Sequence, residues 1–321
     1  MRLETKIATL LMFAAIALSS CTKKPHTPAE DPQPVGFTAM SQVAVTKATT
    51  PLSQHHQDFG VWGVAVHSLN PQYMLWDDNT LTQVSRQGQT DTYVPTIPAY
   101  WFAGYTYNFM ALAPFNSGAT DFEIHSTAHT MSFDFNIGNK YSSNLEYDLM
   151  GAVAETIVGT TKPSTQNLVF WHLSAKIKIE VTFVDADGAA VATGTVSQMR
   201  LSNVDSEATY TLSFNDDKEL AVSCASNPEV TSSLTFTGSP ATFNILPQNV
   251  TDFELYLDFT LDGASYNDFK VNLNAAGNPS EYNYNERYNW NITIGPKAAI
   301  GFTVSVNPWS DQQVGDDITI I

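Results

Sequence analysis

The sequence predicts an all-β protein made of two tandem antiparallel β-sandwich domains. Apolar and polar residues alternate with a period of two in many short segments, which is typical of strands with one buried face. Turn-forming residues separate these segments, and no sustained helical periodicity runs through the chain. The length of 321 residues is sufficient for two domains of ordinary size.

The candidate strands of the first half begin after a polar, proline-rich segment at residues 22–34, which is suited to an extended tether. In FTAMSQVAV, Phe37, Ala39, Val43 and Val45 fall on one predicted face of a strand. This alternation predicts a first strand that contributes to a core. The next candidate strands are residues 61–68, 106–115 and 130–138.

A polar stretch, GTTKPSTQN at residues 159–167, marks the predicted boundary between the two domains. Beyond it, Ile177, Ile179 and Phe183 share one face of AKIKIEVTFVDADG, and DADG provides a turn. The same pattern recurs in TYTLSFNDDKEL, DFELYLDFTLDG, RYNWNITIG and IGFTVSVNPW. The second half is therefore predicted to be a sandwich as well.

The N-terminus has the features of an export signal that ends in a lipid-anchored cysteine. Arg2 and Lys6 precede the apolar run 7–18, which is too short to span a bilayer. The sequence LSSC resembles the lipobox of bacterial lipoproteins, in which the Cys21 thiol is acylated and residues 1–20 are removed as a signal peptide. The alternative is an ordinary signal peptide followed by an unrelated cysteine.

The charge balance excludes one broad class of partner. The chain has 32 acidic and 15 basic residues, which gives a net charge of −17 at pH 7. A nucleic-acid-binding protein needs lysine and arginine to neutralise phosphates, so no nucleic-acid partner is predicted. Because an anionic membrane surface would also repel the protein, membrane contact is predicted to occur through the lipid on Cys21.

The residues that could carry catalysis or bind a metal are explained better by structural roles. His125 and His129 have the i, i+4 spacing of a zinc-binding helix, but predicted strands flank them and no third ligand is evident. Asp185 and Asp187 resemble the start of a calcium loop, but Val196 stands where the closing glutamate is needed. We therefore predict no enzyme activity, no catalytic residues, no metal site and no cofactor.

One aromatic segment is a candidate binding surface. PAYWFAGYTYNF, at residues 98–109, contains six aromatic side chains, and exposed rings can stack on the faces of sugars. Tyr100, Trp101 and Tyr105 form the candidate glycan platform. The alternative is that the alternating rings fill the core of the first sandwich.

Several landmarks together resemble one bacterial family. They are the lipobox, the polar segment after it, FTAMSQVAVTKATT, FWHLSAKIKIEV and YNYNERYNWNITIGPKAAIGFTVSVNPW. In this order and spacing they resemble the fimbrillins of Bacteroidales, the type V pilus subunits, over nearly the whole chain. The resemblance implies two transthyretin-like β-sandwich domains and a structural role, as a shaft or a tip subunit, in a cell-surface pilus that supports adhesion.

The resemblance also implies a route of assembly. The precursor would be anchored in the outer membrane by its lipid, and a trypsin-like protease would cut in the loop after the first strand. The matching position is Lys47, with a mature start at Ala48, although families cut by an arginine-specific protease carry arginine there. Either the local protease accepts lysine, or this subunit is not cut, in which case residues 35–46 are an ordinary first strand and Lys47 is a solvated lysine in a turn. The implied divisions are a lipidated tether with a removable first strand at 21–47, and domains at 48–163 and 164–321.

After cleavage, a strand from another subunit would fill the groove that the first strand leaves. The candidate donor is the C-terminal DITII, with apolar Ile318, Ile320 and Ile321, and the alternative is that DITII completes a sheet of its own domain. The expected partners are other pilus subunits and a host or bacterial surface ligand. The alternative function is that of an outer-membrane lipoprotein that stays anchored and binds glycans.

Overall fold

The computed structural model describes residues 33–42, 49–52, 56, 58–76, 80–138, 148–191, 193–249, 252–271, 273, 279–295 and 300–308. These residues form strands that we number in chain order. The first eleven are β1 (Phe37–Gln42), β2 (Thr49–Pro51), β3 (Asp58–His67), β4 (Asn70–Met74), β5 (Thr82–Arg86), β6 (Thr92–Pro95), β7 (Thr106–Ala113), β8 (Thr120–His125), β9 (Thr130–Asn136), β10 (Met150–Ile157) and β11 (Gln166–His172).

The strands of the second half continue this series. They are β12 (Ala175–Phe183), β13 (Thr195–Asp205), β14 (Glu207–Phe214), β15 (Leu220–Ser226), β16 (Thr231–Thr237), β17 (Ala241–Ile245), β18 (Gln248–Asn249), β19 (Glu254–Leu261), β20 (Ala264–Val271), β21 (Glu281–Tyr282), β22 (Glu286–Ile294) and β23 (Ile300–Pro308). Across the described ranges, no helix has the length and apolarity needed to cross a bilayer.

The first sheet closes on itself. Seven strands follow one another in the order β1, β6, β5, β3, β7, β10 and β11, and β11 returns to pair with β1. We call this closed arrangement the ring. β2 pairs with the end of β1, and β4 pairs with β3. Closing a sheet removes its free edges, so each strand of the ring is paired on both sides.

The strands β3 and β7 are buried on both faces, which explains their nearly continuous apolar sequences. Phe59 and Phe109 belong to the apolar core inside the ring. Trp62 and Met110 belong to a second core that continues into the other half of the chain. The sheet β15-β14-β9-β8 contributes Phe133 and its neighbours to this second core.

The second half contains two further four-stranded sheets, β17-β12-β22-β23 and β16-β13-β19-β20. Aromatic pairs join them: the Phe183 and Phe259 rings lie 5.7 Å apart, and the Phe236 and Phe243 rings are stacked at 4.5 Å. The predicted all-β sandwich fold is confirmed. Most ladders are antiparallel as predicted, but β1 pairs with β11 and β12 pairs with β22 in parallel.

The predicted domain boundary at residues 163 and 164 separates strands that the structure pairs. β11 lies after the boundary, yet it completes the ring with β1 and β10. β14 lies in the second half, yet its residues 207–212 pair with residues 131–136 of β9. A polar segment shows where a chain turns but not which distant strand it meets, so the exchange of strands between the halves was not foreseen.

Candidate functional site

Several predicted site residues lie outside the residues that the structure describes, and their roles stay predictions. They are Cys21, Lys47, Ala48, Ile318, Ile320 and Ile321. The described part of the predicted removable segment is residues 33–42, which contains β1. The environment of β1 is therefore where the structure bears on assembly.

β1 is hydrogen-bonded along both of its edges. On one edge, residues 37–41 pair in parallel with residues 166–170 of β11. On the other edge, residues 37–38 pair with β6 and residues 40–42 pair with β2, both in antiparallel fashion. The first described strand of the protein is thus a central member of its sheet.

β1 and the residues just before it supply part of the core inside the ring. Val35, Phe37 and Ala39 are at most 2% exposed. The Phe37 ring packs edge to face against Phe59 and Phe109, with centroid distances of 6.0 and 5.2 Å. Burial of a large apolar side chain contributes about 1.5–3 kcal/mol, so packing and hydrogen bonds together hold β1.

Removing β1 would leave a slot suited to another strand. The backbone groups of β11 between Gln166 and Phe170 would lose their partners, because the described pairing of β11 with β10 is confined to the end near His172. The apolar rings of Phe59 and Phe109 would line the slot. Unpaired strand edges beside an apolar surface are what an added strand satisfies.

A buried histidine–carboxylate pair lies at the far end of β11. His172 Nδ1 is 2.5 Å from Asp148 Oδ2, and the two side chains are 0% and 1% exposed. A hydrogen bond of 3.1 Å links His56 Nε2 to the backbone oxygen of Asp148, and the Tyr93 hydroxyl donates to the backbone oxygen of His56 at 3.2 Å. The sequence analysis missed this cluster because its members come from four separate segments.

The candidate glycan platform is not a continuous exposed surface. Trp101 is 1% exposed and packs against Tyr107 and Phe109 at centroid distances of 4.7 and 5.9 Å. Tyr100 is 37% exposed, and Tyr105 is half-buried. Trp101 is therefore a core residue, as the alternative interpretation of this segment expected, and stacking on a sugar would have to use other rings.

Exposed apolar side chains gather at the end of the ring where β7 begins. We define the aromatic patch as Leu69, Tyr73, Phe102 and Tyr105. The Tyr73 and Phe102 rings meet edge to face at 6.1 Å, and the Phe102 and Tyr105 rings lie 5.8 Å apart. Leu69 is 86% exposed, Tyr73 54% and Phe102 44%.

Leu69 is linked to the rings of the patch through His67. The backbone N–H of Leu69 donates to His67 Nδ1 at 3.1 Å, and the His67 ring lies 4.9 Å from that of Tyr105. Ile157, which is also exposed, pairs with Thr106 and shares its face of the sheet, opposite to that of Tyr105, so it is not part of the patch. Sequence reasoning found the rings of residues 98–109 but not the partners that β3 and β4 bring to them.

Two buried tyrosines make the same hydrogen bond at corresponding places in the two halves. The Tyr107 hydroxyl accepts a bond of 2.6 Å from the backbone N–H of Phe102, and the Tyr288 hydroxyl accepts one of 2.9 Å from Asn283. In both cases the donor lies five residues earlier, and the residue three positions earlier has a positive φ: Gly104 at 84° and Asn285 at 58°.

These corners identify a repeat that the sequence analysis did not detect, with Tyr-Asn-Phe at the start of β7 and Tyr-Asn-Trp in β22. Burial raises the pKa of Tyr107 to about 12 and that of Tyr288 still further, so both hydroxyls stay protonated. Tyr107 also donates to the backbone oxygen of Tyr100 at 2.9 Å, and Tyr288 donates to the Glu286 carboxylate. Each corner fixes the loop that leads into a core strand.

Replacing Tyr288 by phenylalanine is expected to lower the free energy of unfolding by about 1–2 kcal/mol, because Asn283 and Glu286 lose a hydrogen-bond partner. Tyr107→Phe is expected to have an effect of the same size. Urea denaturation followed by tryptophan fluorescence measures both. Tyr256→Phe removes a hydroxyl that bonds to Glu254 on the surface and is the control, with an expected change within about 0.5 kcal/mol. Equal stability of all three variants would contradict a structural role for the corners.

The described residues hold no group of three or more His, Cys, Asp or Glu side chains that is placed to bind a metal. His125 is the last residue of β8, and His129 is the residue before β9. The centroids of the His129 and Phe214 rings lie 6.2 Å apart. Burial raises the pKa of the Cys224 thiol to about 12, and its sulfur contacts the backbone oxygen of Pro247 at 3.8 Å. A thiol with this pKa stays protonated at neutral pH and is a poor nucleophile.

A profile of fimbrillin-like proteins matches residues 46–309. The chain belongs to the fimbrillin-like family. The resemblance inferred from the sequence landmarks is thereby confirmed, and with it a role as a pilus subunit at the cell surface. No curated protein sequence matches this fimbrillin-like chain.

Solved structures show the same fold at low sequence identity. A fimbrial protein from Bacteroides vulgatus is 14% identical, with 86% of this chain and 99% of that chain covered and a TM-score of 0.57. A candidate cell adhesion protein from Bacteroides uniformis is 17% identical, with 88% and 100% covered and a TM-score of 0.55. One from Bacteroides ovatus is 13% identical, with 88% and 99% covered and a TM-score of 0.52.

Proposed function

We propose that this fimbrillin-like protein is exported as a lipoprotein and polymerises by strand exchange. Its lipid on Cys21 would anchor the precursor in the outer membrane until a protease cuts between Lys47 and Ala48. The cut separates β1 from the rest of the chain, since Lys47 lies between β1 and β2 in the sequence. A strand from another subunit then takes the place of β1, and the resulting pilus supports adhesion.

The observation that carries this proposal is the position of β1. It is the first described strand, it is bonded along both edges, and its apolar side chains are buried. After a cut at residue 47, β1 is no longer covalently linked to the rest of the chain and is held in the sheet by its hydrogen bonds and packing alone. An exchanged strand would restore the lost hydrogen bonds and cover the exposed core, which provides the driving force for assembly.

The donor we propose is the C-terminal DITII with Ile318, Ile320 and Ile321. A donor strand has to present apolar side chains to the slot in which Phe37 and Ala39 were buried. Isoleucine is among the residues with the strongest preference for strands. The alternative, a glycan-binding lipoprotein that stays anchored, loses one of its three candidate platform residues, because Trp101 is buried.

Limited digestion of the chain without residues 1–20 tests the proposal. A lysine-cleaving protease is expected to yield a product that begins at Ala48, identified by its mass, and a ladder of multimers on an unboiled denaturing gel. Lys47→Ala is expected to abolish both. Lys24→Ala removes a lysine from the tether instead and should leave the ladder unchanged.

A second arm tests the donor strand. The chain that ends at residue 308 keeps β23, and after the cut it is expected to release β1 and stay monomeric. A protein that is cut before Ala48 and remains monomeric at every concentration would contradict assembly by strand exchange. If the shortened chain forms the ladder equally well, the donor role of Ile318, Ile320 and Ile321 is contradicted, but strand exchange by another segment is not.

A further inference from the structure

The aromatic patch lies at the end of the ring where β1 begins. Pro34 is bridged to Tyr100, and the backbone N–H of Val35 donates to the oxygen of Ala99 at 2.8 Å. Residues 99 and 100 lead directly into the segment that carries Phe102 and Tyr105. The patch is thus continuous with the entrance through which the chain enters the slot of β1.

The pairing of β1 indicates the direction of any strand that replaces it. β1 is parallel to β11 and antiparallel to β6 and β2. Parallel and antiparallel ladders use different hydrogen-bond patterns, so a replacement that keeps the pattern on both edges has to run in the direction of β1. The body of a subunit precedes its C-terminal strand, and that body would therefore lie at the end where β1 begins.

The charge distribution favours contact between subunits at this end. The full chain carries a net charge of −17, and residues 1–47 hold five basic and three acidic residues, so the cut chain is more acidic still. Two copies therefore repel each other over most of their surfaces. Residues 59–76 and 97–113, which include all four patch residues, contain no Asp, Glu, Lys or Arg. An uncharged apolar surface on a strongly acidic protein is where a second acidic copy can approach at the lowest electrostatic cost.

We propose that the aromatic patch is the docking surface for the body of the neighbouring subunit, a second copy of this chain whose strand has replaced β1. This inference rests on the proposed strand exchange. Leu69, Tyr73 and Phe102 would be covered by the neighbour on assembly. Apolar and aromatic residues at the centre of an interface commonly contribute most of its binding energy.

Polar substitution of the most exposed patch residues tests the proposal. The double variant Leu69→Ser with Tyr73→Ser is expected to keep the wild-type urea midpoint, because both side chains lie mainly in solvent. After digestion with the lysine-cleaving protease, it should release the β1 peptide at the wild-type rate. Its yield of multimers should fall by about tenfold or more, since central interface residues affect binding to this degree.

The matched control is Leu69→Met with Tyr73→Phe, which keeps the apolar area and should assemble as the wild type does. If wild-type protein forms multimers and the serine variant forms them at the same rate and yield, the docking role of the patch is overturned while strand exchange stands. Such a result would leave the rings open to a different ligand, such as a saccharide. If cut wild-type protein forms no multimers, the proposed strand exchange fails and the docking surface fails with it.

Discussion

Asp148→Ala is expected to lower the free energy of unfolding by about 3–5 kcal/mol, the typical cost of removing one partner of a buried pair. In the wild type, His172 Nδ1 lies 2.5 Å from Asp148 Oδ2. In the variant, the imidazole would stay buried and its Nδ1 would face the cavity left by the carboxylate. The bond from His56 to the backbone of Asp148 would lose part of its support. Urea denaturation of the chain without residues 1–20 measures the change.

The matched control is an ion pair at the surface. Lys178 Nζ lies 2.8 Å from Glu180 Oε2, and the side chains are 27% and 45% exposed. Exposed pairs contribute about 0–1 kcal/mol, so Glu180→Ala should have a much smaller effect than Asp148→Ala. Equal losses for the two variants would show that the buried pair has no special weight in holding β10 and β11 together.

Phe37→Ala is expected to cost about 3–5 kcal/mol, as large-to-small substitutions of buried phenylalanines do. The Phe37 side chain is 0% exposed and contacts Phe59 and Phe109, so its removal leaves a cavity in the core inside the ring. The same loss weakens the hold on β1 after cleavage. Size-exclusion chromatography of the cut protein should therefore show faster release of the β1 peptide than for the wild type.

The control for Phe37 is its neighbour on the opposite face of the strand. Thr38 is half-buried, and its hydroxyl donates to Asn167 Oδ1 at 3.2 Å, so Thr38→Ala should change stability by only about 0.5 kcal/mol. If Phe37→Ala left both the urea midpoint and the rate of peptide release unchanged, β1 would not be held by its core contacts. The slot would then depend on backbone hydrogen bonds alone.

Period-two patterns were sufficient to place most of the strands. In the candidate strand at residues 130–138, alternation puts Met131, Phe133 and Phe135 on one face, and all three are buried. The five alternating apolar residues of DFELYLDFTLDG are likewise buried: Phe253, Leu255, Leu257, Phe259 and Leu261. These predictions succeed because the side chains of a strand point alternately to its two faces, so the sequence itself records which face is buried.

The candidate binding surface shows the limit of the same reasoning. Composition identified the aromatic segment but not which of its rings are buried. Trp101 and Phe102 are neighbours in sequence, yet Trp101 is 1% exposed and Phe102 is 44% exposed. Which ring faces the core depends on the loop that Tyr107 holds through its hydroxyl. Tyr73 reaches Phe102 because β4 folds back onto β3. Tyr73 and Phe102 are about thirty residues apart in the chain, and no local pattern specifies their contact.

By itself, the sequence determined that this is an all-β protein, which residues of its strands face the core, and to which family it belongs. Those features depend on local alternation and on landmarks read in order. The tertiary structure alone decided that β11 closes the ring on β1, that β9 pairs with β14 across the predicted boundary, and that Asp148 meets His172. Pairings between distant strands depend on the packing of the whole chain, because any strand with the right alternation could have served as the partner.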